Sequence, residues 1–189
     1  MQELIDSFSL DRVSKAGARF QPEKAKWFNA QYMHNLTAEQ FAPLMQPILK
    51  AHGIEVSDEV AGKAADIMKE RMTLVTDMWD LTSFFFVAPT EYEEKLAKKQ
   101  WKGENPAMLA ELRGILEGID DFSKENTEVV VRAWIEQKGL GLGQVMNTLR
   151  LALVGAGKGP GMFDVTEFIG KAECLKRIDN ILATLKPIE

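Results

Sequence analysis

The stretch GLGLGQVMNTLRLALVGAGKGPGMFDV, residues 139–165, decides the fold that we expect for this chain. Its first part repeats apolar residues at steps of three and four, which places them on one helix face: Leu142, Val145, Met146, Leu149, Ala152 and Leu153. Arg150 lies at the edge of that face. Four glycines and Pro160 follow between Gly155 and Gly161, so the pattern predicts a helix that ends in a backbone-rich loop.

The same helical spacing continues through the rest of the chain. Thr37 with Gln40 forms a capping-box pattern, and Ser57 caps a further helix that we expect to run from Asp58 past Arg71, with a break near Thr73 as an alternative to a continuous helix. Other helices are predicted over residues 124–138, near 163–169 and at the carboxyl end. No segment alternates with a period of two for long, and there is no repeat or low-complexity tract. The predicted fold class is therefore all-α.

The bulk composition of the 189 residues is typical of a soluble globular protein, with 46% hydrophobic and 27% charged residues. No apolar run reaches the roughly 18 residues that span a bilayer, and acidic residues interrupt the amino-terminal apolar ones, so we expect neither a membrane span nor a signal peptide. A single cysteine, Cys174, forms no internal disulfide and fits a reducing cytoplasm. His34 and His52 lack neighbouring ligands at metal-binding spacing, so we expect no metal site.

Sequence motifs for independent catalysis are missing. GAGKGPG resembles a phosphate-binding loop in its glycines, but a helix precedes it and Gly159 follows Lys158, so the context of a P-loop is absent. No His, Ser or Cys arrangement indicates a nucleophile. The net charge of −5 also disfavours a polybasic, nonspecific nucleic-acid binder, although it allows local contacts to a few nucleotides.

Arg71 is the second informative residue. The helical spacing places it within an apolar stripe made of Val60, Ala64, Ile67, Leu74, Val75 and Met78. A buried arginine needs a partner, because an unpaired charge is costly to desolvate. That partner is either an internal carboxylate, such as Glu70 or Asp77, or a ligand, and the spacing alone leaves both open.

The Gly-rich loop has the chemistry to contact unpaired RNA bases. Such bases stack on planar or apolar side chains and offer their edges to Arg, Asn, Gln or backbone groups. Pro160 and Met162 supply apolar faces, and Gly159 permits close approach to the backbone. Asn147 and Arg150 lie three residues apart, so we expect them to reach one ligand together. The alternative for Gly159 is simply a helix end and its turn.

Five segments carry a family resemblance. They are RVSKAGARF (12–20), EKAKWFNAQYM (23–33), KERMTLVTDMWDLTSFFFVAPTEYEEKLAKK (69–99), LGQVMNTLRLALVGAGKGPGMFDV (142–165) and FIGKAECLKRI (168–178). In this order they resemble the carboxyl-terminal, anticodon-binding region of bacterial glutamyl-tRNA synthetases. The resemblance implies two small helical subdomains, residues 36–88 and 89–189, preceded by a remnant of the stem-contact domain, residues 1–35.

The same resemblance implies a function and its residues. Arg71 matches the arginine that reads the last anticodon base, which also suggests a discriminating enzyme. The positions that match the pocket for the first two bases are Arg150, Gly159, Pro160 and Met162, with Asn147 beside them. Arg12, Lys15 and Arg19 match the stem-contact segment; they could equally form a solvated loop. The implied partners are tRNA-Glu and the catalytic domain of the parent synthetase, with no role for DNA or a membrane.

The chain also departs from the family pattern. Thr148 and Val154 stand where family members often have proline and threonine, and the HIGH-type and KMSKS-type catalytic signatures have no counterpart. We therefore expect this chain alone to be inactive and to bind no cofactor, since ATP and Mg belong to the parent's catalytic domain. The alternative is a helical protein-interaction module that has lost tRNA binding.

Overall fold

The computed structural model describes residues 2–13, 17 and 19–187. These residues form helices and connecting loops, with no strand among them, which confirms the all-α prediction. The helices are α1 (Gln2–Ser7), α2 (Pro22–His34), α3 (Ala38–Ala51), α4 (Asp58–Met68), α5 (Met78–Phe86), α6 (Glu94–Gln100), α7 (Asn105–Glu117), α8 (Lys124–Lys138), α9 (Leu142–Val154) and α10 (Met162–Thr184). Short 3-10 turns occupy Leu10–Arg12, Lys69–Arg71 and Val75–Asp77.

The helix boundaries follow local sequence chemistry. The Thr37 hydroxyl accepts a hydrogen bond from the Gln40 backbone N–H, and the Gln40 side chain accepts one from the Thr37 N–H, which confirms the capping box of α3. Helix α9 ends at Gly155, whose φ of +78° turns the chain out of the helix. Helix α10 breaks at Gly170, so the two helices predicted there are confirmed as two helical segments.

The predicted extension of α4 past Arg71 is wrong. The α-helix ends at Met68, the next three residues form a tighter 3-10 turn, and Met72 is extended and fully buried. Arg71 therefore lies on an exposed turn and not within a buried apolar stripe. Half of the residues that the spacing assigned to that stripe lie beyond the end of the helix.

An aspartate explains why the helix does not continue. One carboxylate oxygen of Asp77 accepts hydrogen bonds from the backbone N–H groups of Thr73, at 3.1 Å, and Leu74, at 2.8 Å. These donors would otherwise pair with carbonyls of the preceding turn, so the carboxylate competes directly with helix formation. The side chain that helical spacing offered as a partner for Arg71 serves instead to redirect the backbone.

The helices pack around a continuous apolar core. Helices α3 and α4 form a hairpin against α5, and α10 packs on α7, α8 and α9. Helix α5 also contacts α9 and α10, so it joins the half of the fold formed by α3–α5 to the half formed by α6–α10. The domain boundary predicted at residue 88 stays a prediction. Helix α2 contacts the Lys69–Arg71 turn. Within the described ranges, no helix combines the length and apolarity needed to cross a membrane.

Candidate functional site

Arg150 is held against the Gly-rich loop. Its Nη2 donates a hydrogen bond to the Pro160 carbonyl oxygen at 2.8 Å, while its Nη1 is buried and has no acceptor among the described residues. A Cβ atom added to Gly159 would lie 2.8 Å from Nη1, and the φ of +140° at this position is one that side-chain-bearing residues rarely adopt. A glycine at position 159 is therefore what allows the guanidinium to lie beside the backbone.

Two hydrogen bonds fix the start of the loop. The Gly157 N–H donates to Oε2 of Glu93 at 2.8 Å, and the Glu93 N–H donates to the Gly155 carbonyl at 2.7 Å. A carboxylate therefore occupies a backbone donor that a phosphate-binding loop would present to its ligand. This geometry agrees with the sequence argument against a phosphate cradle at GAGKGPG.

Arg71 has no internal carboxylate as a partner in the described part of the chain. Glu70 lies 3.7 Å from the His34 ring, and Asp77 binds backbone N–H groups. The guanidinium is exposed, so solvent meets its hydrogen-bonding needs. Neither Glu70 nor Asp77, the two carboxylates suggested as internal partners, pairs with Arg71. The donors of Arg71 are therefore available to a ligand.

The positive charge of Arg71 influences Arg150. Burial lowers the pKa of Arg150, and the positive charge of Arg71 lowers it further. Arg71 lies 79 positions before Arg150 in the sequence, so this electrostatic effect acts between separate segments of the chain. A region with two cationic donors favours a ligand rich in oxygen acceptors, such as a nucleotide.

A cavity of about 280 Å³ adjoins Arg150. Met162 lines it but is only 3% exposed, so this side chain offers little open surface for stacking, contrary to our expectation. Pro160 is half-buried. The cavity is lined by Lys124, Glu128, Arg132, Leu142, Met146, Arg150, Gly161, Met162, Phe163 and Asp164.

Sequence reasoning missed the charged residues of α8 that line this cavity. Arg132 pairs with Glu128 at 2.6 Å, and Lys124 pairs with Asp164 at 2.5 Å. The hydrogen bond to Asp164 and its charge raise the pKa of Lys124. The i, i+4 spacing of Glu128 and Arg132 was a visible signal for their pair, but nothing in the sequence placed that pair beside α9.

The other predicted residues lie apart from this cavity. Asn147 lines a separate cavity of about 720 Å³ together with Lys99 and Lys102, so the structure does not bring it to the same cavity as Arg150. Arg12 and Arg19 are exposed, and Lys15 lies outside the described residues. No cluster of three or more His, Cys, Asp or Glu side chains suited to a metal ion occurs across the described ranges.

Comparison with known proteins assigns a family to this architecture. The family described as "Anticodon binding domain" matches residues 40–182. The chain is 50% identical to the glutamate–tRNA ligase of Phocaeicola vulgatus over 98% of its length and 46% identical to that of Parabacteroides distasonis, again over 98%. It spans only 37% of each of these relatives.

A solved structure agrees with these sequence matches. The crystal structure of a glutamate tRNA ligase from Elizabethkingia meningosepticum, in complex with its amino acid, superposes with a TM-score of 0.91 at 44% identity. The match covers 98% of this chain and 37% of that one. Fold and sequence therefore point to the same family over nearly the whole chain.

Proposed function

We propose a function from one premise: this chain belongs to the anticodon-binding domain family, as the corresponding region of a glutamate–tRNA ligase. Its role is to bind tRNA-Glu and to read the anticodon. The single observation that carries the proposal is the family match over residues 40–182. Arg71 and Arg150 support it, because each has donors that the described side chains leave unused.

The roles of the two arginines follow from their surroundings. Arg71 projects from an exposed turn, so a base can reach its guanidinium without displacing any internal partner. Nη1 of Arg150 is buried beside Gly159 without an acceptor among the described residues, so a base edge that enters the neighbouring cavity and shifts the loop can supply one. We assign the third anticodon base to Arg71, and the first two bases to Arg150 with the Gly159, Pro160 and Met162 segment.

The remaining predicted residues fit secondary roles. Asn147 lies one helical turn from Arg150 on α9, beside two lysines, where it can contact an adjoining nucleotide. Arg12, Lys15 and Arg19 would contact the RNA stem. Because these contacts include phosphates, binding should weaken as salt rises, even though the whole chain carries a net charge of −5.

The ligation reaction itself would take place in a separate catalytic part of the ligase. The chain positions tRNA for a catalytic part, which would bind ATP and Mg and join glutamate to the tRNA, and this chain needs no cofactor of its own. The site of action is the cytoplasm, and neither DNA nor a membrane takes part. An exposed arginine at position 71 supports preference for one third base, hence a discriminating ligase.

The experiment that tests this function measures binding of the chain to two RNAs. One is an anticodon stem-loop with the glutamate anticodon, and the other differs only at the third anticodon base. The wild type should prefer the first RNA, and Arg71→Gln should lose about 1 to 3 kcal/mol of that preference. Lys95→Gln removes the same charge from another exposed position and should keep the preference.

Three outcomes have distinct meanings. A preference that depends on Arg71 and weakens with salt supports anticodon reading. Equal binding of both RNAs contradicts the assigned role of Arg71. Absence of binding to either RNA at low salt contradicts the proposed function and favours a helical protein-interaction module.

A further inference from the structure

Arg177 is a buried arginine that joins three helices. Only 2% of the residue is exposed, although its side chain is charged. Its Nε donates to Oε1 of Glu173 at 2.8 Å within α10. Its Nη1 donates to the Phe84 carbonyl of α5 at 2.6 Å and to the Leu153 carbonyl of α9 at 2.8 Å. The guanidinium thus connects α10 to the ends of two other helices.

Both carbonyls belong to the last turn of their helix, where intrahelical partners run out. The N–H of Gly157, four residues after Leu153, would be the regular donor to the Leu153 carbonyl, but it donates to Glu93. Helix carboxyl ends also carry partial negative charge, which a buried cation stabilises. Arg177 therefore satisfies backbone groups that nothing else in their own helices can serve.

The two carbonyls belong to helices that lead toward the two candidate RNA-binding arginines. Leu153 follows Arg150 on α9, and the Phe84 ring lies 3.9 Å from where a Cβ on Gly159 would sit. Helix α5 packs on α4, whose end leads into the turn that carries Arg71. Arg177 thus ties the part of the fold that holds Arg71 to the part that holds Arg150.

We infer that Arg177 is a positioning residue that fixes the spacing between Arg71 and Arg150, so that both arginines engage one RNA together. Arg177 itself is buried and touches no base. The part of this inference that concerns RNA rests on the function proposed above, whereas the part that concerns spacing does not.

The spacing is tested without RNA by a distance between spin labels. Lys50→Cys on α3 and Gln137→Cys on α8 are exposed and lie in different halves, while the native Cys174 is buried and should stay unlabelled. We expect a narrow distance distribution in the labelled protein and a broader one after Arg177→Met. Ile178→Ala, which removes a fully buried neighbour on α10, should destabilise the fold but keep the distribution narrow.

The selectivity between the two stem-loop RNAs tests whether this spacing matters for RNA binding. Arg177→Met should reduce the ratio of affinities for the cognate and third-base-variant stem-loops by roughly 2- to 30-fold, the range in which remote residues change coupling between sites. Ile178→Ala should leave that ratio unchanged. Arg177→Lys keeps the buried charge but offers one nitrogen, so it should fold and show an intermediate ratio.

The outcomes separate this inference from the proposed function. If the wild type binds both RNAs equally, the assigned role of Arg71 fails, and if it binds neither, the proposed function fails; in both cases the label distances still test the spacing. If the wild type shows the preference and both Arg177 variants keep the full ratio and a narrow distribution, the positioning role is overturned. It is also overturned if Ile178→Ala changes the ratio or the distribution as much as Arg177→Met does.

Discussion

Arg150 and Gly159 define each other's position. Nη1 of Arg150 lies 2.8 Å from the point that a Cβ of residue 159 would occupy, while Nη2 is hydrogen-bonded to the next carbonyl, that of Pro160. The side chain cannot move away without losing this bond, and the loop cannot gain a side chain at 159 without displacing the guanidinium. The geometry of the site therefore depends on the absence of a single methyl group.

Gly159→Ala should weaken both the fold and RNA binding. The unfavourable φ of +140° costs about 1 to 3 kcal/mol of unfolding free energy, and the displaced guanidinium loses its place beside the loop. Urea unfolding and stem-loop titration measure the two effects. Gly114→Ala on α7 is the control, because a Cβ there meets open space and should stabilise the helix by about 1 kcal/mol. Unchanged RNA affinity in Gly159→Ala would contradict this account.

Replacement of Arg150 should separate stability from binding. Its guanidinium is partly desolvated and has no carboxylate partner among the described residues, so Arg150→Met should change unfolding free energy little or increase it. RNA affinity should nevertheless fall, because the free donor is lost. Arg113→Met is the control: it removes the exposed ion pairs with Asp179 and Glu117, should change stability only slightly, and should leave RNA affinity intact. A large loss of stability in Arg150→Met would show that the arginine is structural.

Glu93→Ala should loosen the Gly-rich loop. The carboxylate accepts the Gly157 N–H, and loss of this acceptor should cost about 1 kcal/mol. Hydrogen exchange at the Gly157 amide should become faster. Glu94→Ala is matched in size and charge, but among the described residues Glu94 pairs with the exposed Lys98 and not with the loop, so exchange at Gly157 should not change. Equal exchange rates in the two variants would rule out Glu93 as the anchor of the loop.

Stability should fall at alkaline pH because of Cys174. Burial raises the pKa of this thiol from 9.0 to about 12. The folded state therefore holds the proton more tightly than the unfolded state, so this contribution is complete below about pH 9 and is lost as the pH rises toward 12. Urea unfolding across this window should show a steeper decline for the wild type than for Cys174→Ala. Parallel declines would mean that the thiol does not titrate differently in the two states.

Local patterns in the sequence predicted the fold well. Thr37 with Gln40 marked the start of α3, Gly155 marked the end of α9, and each depends on atoms within a few residues. The end of α4 before Arg71 was harder to predict, because the apolar spacing continues past it. The Asp77 carboxylate accepts hydrogen bonds from backbone N–H groups that a longer helix would have used. Helix caps could be predicted from the local sequence. Competition between a side-chain carboxylate and the helix for backbone N–H groups could not.

The candidate site shows a second limit of sequence reasoning. Arg71 and Arg150 were identified by resemblance, but the effect of the Arg71 charge on the pKa of Arg150 depends on the fold. The sequence did not indicate a role for Arg177, because its partners are backbone carbonyls 93 and 24 residues away. Every residue has a carbonyl, so no pattern of residue types predicts such a contact. The three-residue spacing of Asn147 and Arg150 did not show that the two residues line different cavities, so their contact with one ligand stays a prediction.

The anchoring of the Gly-rich loop limits how this segment can be transplanted to another protein. Residues 155–161 take their shape from Glu93, which lies 64 positions before Gly157, and from the contact between Gly155 and Pro89. Grafted alone onto another helical scaffold, the segment would be a flexible glycine linker. To move this loop to another protein, an engineer must also move residues 89–93 and helix α9, which carries Arg150.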